Sequence, residues 1–147
     1  MKRLFLLSLL LLFNSCSSCK KNDFSKIIDF RMSYKTPCSD CTKIIFNKKK
    51  LYVSGITLLD KSHIAKAWKK KNIFGSYDIF LDLTKKGGQI LQRATRDNIG
   101  KRMAVFINGD IIMAPTIMEE IKWGKVTITG VKTERKVDNI LHQLKVK

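Results

Sequence analysis

Asn108-Gly109 lies between two apolar runs, residues 103–107 and 110–114. A two-residue type I′ turn needs positive φ at both central positions, and Asn-Gly is the pair best suited to it. This stretch therefore reads as a β-hairpin, and its neighbours can be read outward from it. Upstream, residues 77–84 alternate as a strand: Tyr77, Ile79, Leu81 and Leu83 share one face, and Phe80 sits on the other with Asp78 and Asp82. Thr84 can cap a helix running to Ile99, with Ile90, Leu91, Ala94 and Ile99 as its apolar stripe and Gly100 as its C′ residue. Gly87-Gly88 weakens the first turn of that helix. Downstream, residues 116–122 read as a short helix after Pro115, and residues 125–129 as a strand. Thr133 can cap a last helix, in which Val137, Ile140, Leu141 and Leu144 fall on one face.

The segment before Tyr77 adds more strands. Phe30 to Tyr34 alternates apolar and polar. Residues 43–46 and 51–54 form a second hairpin signal around Asn47 and three lysines, the kind of connection that discourages further pairing at a sheet edge. Asp60 predicts a helix cap, with Ile64, Ala67 and Trp68 on one face of a helix over residues 61–71. From Tyr77 the order is β-α-β-β-(α)-β-α, its first three elements reading as a right-handed crossover. The class expected is α+β: a two-layer sandwich of the ferredoxin-like kind, with a mixed or antiparallel sheet and its helices on one face.

The N-terminus reads as an export signal. Lys2 and Arg3 precede an apolar run at residues 4–13, too short for the ~20 residues that span a bilayer. Asn14-Ser15-Cys16 then resembles a bacterial lipobox, with Cys16 the acylated residue and Cys19 the rival acceptor. The expected organisation is a signal peptide at 1–15, a lipidated tether at 16–29 and a domain at 30–147. Ser17 after Cys16 points to the outer membrane, facing the periplasm. The formal charge is +17. It favours anionic partners such as phospholipid headgroups or acidic glycans; nucleic acid is not expected at this location.

A string of short motifs runs through the second half. Asn98-Ile99-Gly100 ends a helix, the Asn108-Gly109 turn follows, and Ala114-Pro115 closes the next strand. Ile121 to Gly124 and Ile128-Thr129-Gly130 precede the last helix. In this order they resemble the head subdomain of the first periplasmic domain of SecD, the export accessory that works with SecF. The resemblance covers residues 51–144. It implies that fold, and a head that in SecD contacts an emerging preprotein under the drive of protons crossing membrane helices. No stretch after residue 13 is apolar enough to supply such helices, so the fold is expected to carry over and the motor is not.

Candidate chemistry is sparse. Cys38-Ser39-Asp40-Cys41 is a C-x-x-C whose first expectation in an oxidising compartment is a local disulfide. A redox-active pair would want a helix N-terminus at the first cysteine, and a zinc site would want four ligands. His63 and His142 have no ligand spacing, so no metal and no cofactor are expected. Asp78 with Asp82, and Glu119 with Glu120, read as solvated acids rather than catalytic pairs. Trp68 is expected in the core. Trp123, Asn108 and Gly109 are the candidate contact residues. No nucleophile or phosphate-binding motif is present, which favours a non-enzymatic binding module in protein export or envelope assembly. Its partner would be an envelope protein or an extended polypeptide, with the membrane reached through the lipid anchor. A basic module for anionic glycan or lipid, and a thiol–disulfide protein using Cys38 and Cys41, are the alternatives.

Overall fold

The computed structural model describes residues 26–145. The export signal, Cys16 and Cys19 lie outside the described residues. Nine strands and two helices run in the order β1 Ile28–Tyr34, β2 Cys41–Phe46, β3 Lys49–Ser54, β4 Leu59–Asp60, β5 Ile64–Lys71, β6 Tyr77–Leu83, α1 Lys85–Arg96, β7 Arg102–Ile107, β8 Asp110–Met113, β9 Lys125–Val131 and α2 Glu134–Leu144. The class is α+β, and every pairing is antiparallel. The strands divide between two sheets. One is ordered β2-β3-β1-β7-β8, with β4 also on β1; the other is β5-β6-β9. The segment β6-α1-β7 therefore passes from one sheet to the other and is not a crossover within one.

β1 is the centre of the larger sheet, and it begins at Ile28, two residues before the alternation at Phe30 suggests. Its register with β7 sets Ile28 against Ile107, Phe30 against Val105 and Met32 against Met103. All six are buried on one face. They join Ile79 and Leu81 of β6, Ile128 of β9, Leu91 of α1, and Val137, Ile140 and Leu144 of α2 in a single core cluster. The opposite face of β1 carries Asp29 and Arg31. Arg31 Nε donates to Asp29 Oδ2 at 2.6 Å, and Nη1 to the carbonyls of Ser54 and Gly55. Both side chains are buried, beside a second cluster of Leu51, Val53, Ala104 and Phe106.

The two hairpins form as expected. Asn108 and Gly109 take φ of 51° and 86°, and Asn47 and Lys48 take 48° and 62°. Thr84 caps α1 through Oγ1, which accepts from the Gly87 N–H.

Four expectations are corrected. The helix over residues 61–71 is replaced by one 3₁₀ turn, Lys61–His63, and strand β5. Asp60 does cap that turn, but the chain then extends because β6 offers a complementary strand. Lys66 faces Asp82, Trp68 faces Phe80 and Lys70 faces Asp78. The two rings stack at 5.6 Å, leaving Trp68 37% exposed rather than in the core. The short helix at 116–122 is also absent. Its backbone groups go to the run-in of β7 instead: the Ile117 N–H donates to the Lys101 carbonyl, and the Gly100 and Met103 N–H groups donate to Ile117 and Pro115. Finally, α1 ends at Arg96 because the Asn98 side-chain amide takes the Ala94 carbonyl, and Ile99 is left 58% exposed.

Gly87 is explained by contact. A Cβ there would lie 2.7 Å from the His63 carbonyl oxygen. Gly87→Ala gains helix propensity of about 1 kcal/mol but must push α1 off the 3₁₀ turn. Urea denaturation should show a net loss of about 1–3 kcal/mol. A neutral or stabilised variant would refute this account of the α1 contact.

Candidate functional site

Among the described residues the larger sheet ends at β2 and β8 and the smaller at β5 and β9, and the chemistry of these edges differs. β2 carries Lys43, with Lys48 in the turn after it and Lys49 and Lys50 at the start of β3; β5 carries Lys66, Lys69, Lys70 and Lys71. Lysine-rich edges resist added strands. β8 is only four residues long, and its pairing with β7 is bulged. β9 also carries one lysine, Lys125, and its pairing with β6 is irregular near Tyr77, but it is seven residues long and lies beside an apolar cleft. After Lys125 it reads Val126-Thr127-Ile128-Thr129, β-branched throughout, and it is paired on one side only, by β6. Such a strand is suited to accept another along its free side.

Beside β9 is a cleft of about 350 Å³. Phe30, Met103 and Val105 from the larger sheet form its floor with Leu91 of α1. Met113 at the end of β8 and Ile117, Met118 and Ile121 in the following loop line one side; Val126 of β9 lines the other. Three of the chain's five methionines are here. Methionine is unbranched and polarizable, which lets a surface accept varied apolar shapes. Met118 is 79% exposed at the rim. The loop is pinned where it crosses: the buried Thr95 hydroxyl accepts from the Ile121 N–H at 2.9 Å, and Gln92 donates to Glu120 at 2.6 Å.

The residues singled out from the sequence lie elsewhere. Trp123 is 84% exposed, just outside the cleft. Its neighbour Gly124, at φ +59°, packs against Gly88 in the first turn of α1. Asn108 and Gly109 are at the far end of β8, where the Asn108 N–H donates to the Ile27 carbonyl. Cys38 and Cys41 are joined as a disulfide. With Asp40 they form a group of metal-ligating type, but the two sulfurs are spent on each other. No helix starts at Cys38, so the setting that lowers a thiol pKa in redox motifs is missing. Asp40 ties this turn to β3. Its carboxylate accepts from Ser54 Oγ at 2.8 Å, the main reason its pKa is held below the ordinary value, and from the Gly55 N–H.

His63 closes a capping box with Asp60: its Nδ1 accepts from the Asp60 N–H, and the Asp60 carboxylate accepts from Ser62. His142 is exposed in the last turn of α2. Asp78 accepts from Asn72. Glu134 and Asp138 of α2 both hold Lys69, at 2.7 and 2.6 Å. Among the described residues, no helix is long and apolar enough to cross a membrane.

The domain is α+β, two antiparallel sheets with two helices, and it carries an apolar cleft beside an edge strand. Residues 38–146 match the family model described as SecDF, P1 head subdomain, and the chain belongs to that family. It is similar to protein translocase subunit SecD of Sebaldella termitidis, 35% identical over 91 residues, which are 62% of this chain and 22% of that protein. It is also similar to protein translocase subunit SecDF of Thermus thermophilus, 31% identical over 86 residues, 58% of this chain and 12% of that one. The chain thus spans less than a quarter of the length of these relatives. Two solved structures share its fold at a TM-score of 0.63, each covering 80% of this chain. One, of a membrane component SecDF that enhances protein export, is 23% identical and covered over 60% of its length. The other, of SecDF in super-membrane-facing form, is 21% identical and covered over 18%.

The capping carboxylate has a pH consequence. Burial pushes Asp60 up, but hydrogen bonds from Ser62 and from Lys26, at 3.2 Å, outweigh it and hold the pKa at about 2. A carboxyl depressed in the folded state stabilises above its unfolded pKa, and that contribution is lost as pH falls from about 4 to about 2. Solvent screening limits it to about 1 kcal/mol. Chemical denaturation across this window should give a shallower pH slope for Asp60→Asn than for the native chain. Equal slopes would contradict the assignment.

Proposed function

We propose that this protein is a lipid-anchored envelope component that works in protein export by binding extended polypeptide, without chemistry of its own. The observation that carries it is the methionine-lined cleft lying alongside β9, an edge strand that is paired only by β6 among the described residues and is β-branched from Val126 to Thr129. A polypeptide added to β9 would pair with its backbone, which is indifferent to sequence. Its alternate side chains would enter the cleft, which asks only that they be apolar. That combination suits a partner that is unfolded and varied. The family supports the reading, since the solved relative is described as enhancing protein export. The anchor at Cys16 and a periplasm-facing outer-membrane location belong to the same proposal and rest on the N-terminal sequence.

Two experiments test the parts separately. A photo-crosslinking residue at Met118 in growing cells should capture exported polypeptide, and the same residue at Lys43, on the lysine-guarded edge, should not. Equal capture at both positions, or none at Met118, would sink the cleft. Metabolic labelling with a fatty acid should mark the native chain and Cys19→Ser but not Cys16→Ser. Label retained in Cys16→Ser would move the anchor, and an unlabelled native chain would remove it.

A further inference from the structure

The end of the domain where the described chain begins has a character of its own. An open cleft of about 860 Å³ lies there, lined by Lys26, Lys61 and Lys145 around Ile27, Ile28 and Ile64. Its acid, Asp60, is engaged by Lys26 and Ser62, and Lys61 Nζ donates to the Gln143 carbonyl at 2.6 Å, so these two ammonium groups would exchange their present partners for phosphate on docking. Thr84 also lines it, and the exposed Lys85 and Lys86 follow directly in the first turn of α1. Trp123 belongs to the same end. The Thr84 N–H donates to the His63 carbonyl, the Leu83 N–H donates to the Gly124 carbonyl, and Gly124 rests on Gly88. Lys122 and Trp123 therefore project beside that first turn, and Trp123 is 84% exposed with no packing role to explain it.

From this we infer that this end is a membrane-docking face, which seats on an anionic phospholipid bilayer with Trp123 at the headgroup level and the lysines against lipid phosphates. Lysine and tryptophan together are the side chains that settle at a bilayer interface: the ammonium binds phosphate, and the indole has one apolar and one polar side. The placement also agrees with the proposed anchor, on which the geometry rests. Ten chain steps lead from Cys16 to Lys26 and span at most about 35 Å, so an acylated Cys16 keeps this end within that distance of the lipid. Docking would hold the β9 cleft at a fixed height above the membrane.

The chain has two tryptophans, which makes the test direct. The full chain, purified in detergent, is reconstituted into phosphatidylcholine vesicles with or without phosphatidylglycerol, both containing brominated lipid as a quencher. In the Trp68→Phe variant, Trp123 emission should be quenched and blue-shifted in the anionic vesicles at low salt and released by molar salt. Lys26→Gln, Lys61→Gln and Lys145→Gln should each weaken docking roughly fivefold. In Trp123→Phe, Trp68 should stay unquenched. Subtracting that spectrum from the native one gives the Trp123 signal even where Trp68→Phe misfolds. The proposal is overturned by equal quenching in neutral vesicles, by quenching that survives molar salt, by no quenching of Trp123, or by equal quenching of Trp68. Fatty-acid labelling reads the anchor separately, so loss of acylation and loss of docking are distinguishable.

Discussion

The domain depends on the placement of β1. This strand is bonded to β3, β4 and β7 and is the only strand of the described residues with three partners. Its two faces are chemically opposite. Ile28, Phe30 and Met32 enter the main core; Asp29 and Arg31 pair on the other side. A slip of one residue would drive a carboxylate and a guanidinium into the core and turn three apolar side chains out. The buried pair adds little net stability, because desolvating two charges costs about what their attraction returns. Its effect is on choice: breaking it leaves a buried charge, so alternative registers are penalised. Phe30, Met103 and Val105, fixed by that register, are the floor of the cleft. The candidate site is thus a consequence of how β1 meets β7.

What was legible in the sequence was local. Asn108-Gly109 fixes its own turn by backbone sterics, Thr84 caps with its own hydroxyl three residues on, and Cys38 and Cys41 are close enough to join. What was not legible depended on a distant partner. Residues 64–71 show apolar residues at helical spacing, and only the facing segment reveals them as a strand. Lys66, Trp68 and Lys70 in one line match Asp82, Phe80 and Asp78 in the other, a signal visible only when the two are read against each other. Gly87 and Gly88 read as weak points in a helix; in place they let α1 approach the His63 carbonyl and Gly124. The cleft was the least legible feature, because it draws on β1, α1, β7, the loop after β8, and β9, and no one segment announces it. The motif string that resembled the SecD head was informative because it recorded such long-range constraints indirectly.

The two proposed surfaces differ in their charge. Basic residues are dense on β5, around the β2–β3 turn and at the end near Lys26, and β9 carries Lys125 alone within the strand. A head of the SecDF family held close to a membrane and presenting one sticky edge would meet chains as they emerge, and a methionine lining would let it release them as readily as it takes them. In this reading the domain supplies a surface, and energy for movement comes from elsewhere.

That surface can be measured without assuming any partner. Hydrogen exchange read residue by residue, on the full chain with and without an extended apolar peptide, reports which backbone amides gain a partner. The account predicts new protection confined to β9 and the adjoining stretch from Met113 to Met118, with β2 and β5 unchanged. Binding that leaves the β9 amides exchanging as before, or that protects β5 instead, would contradict it.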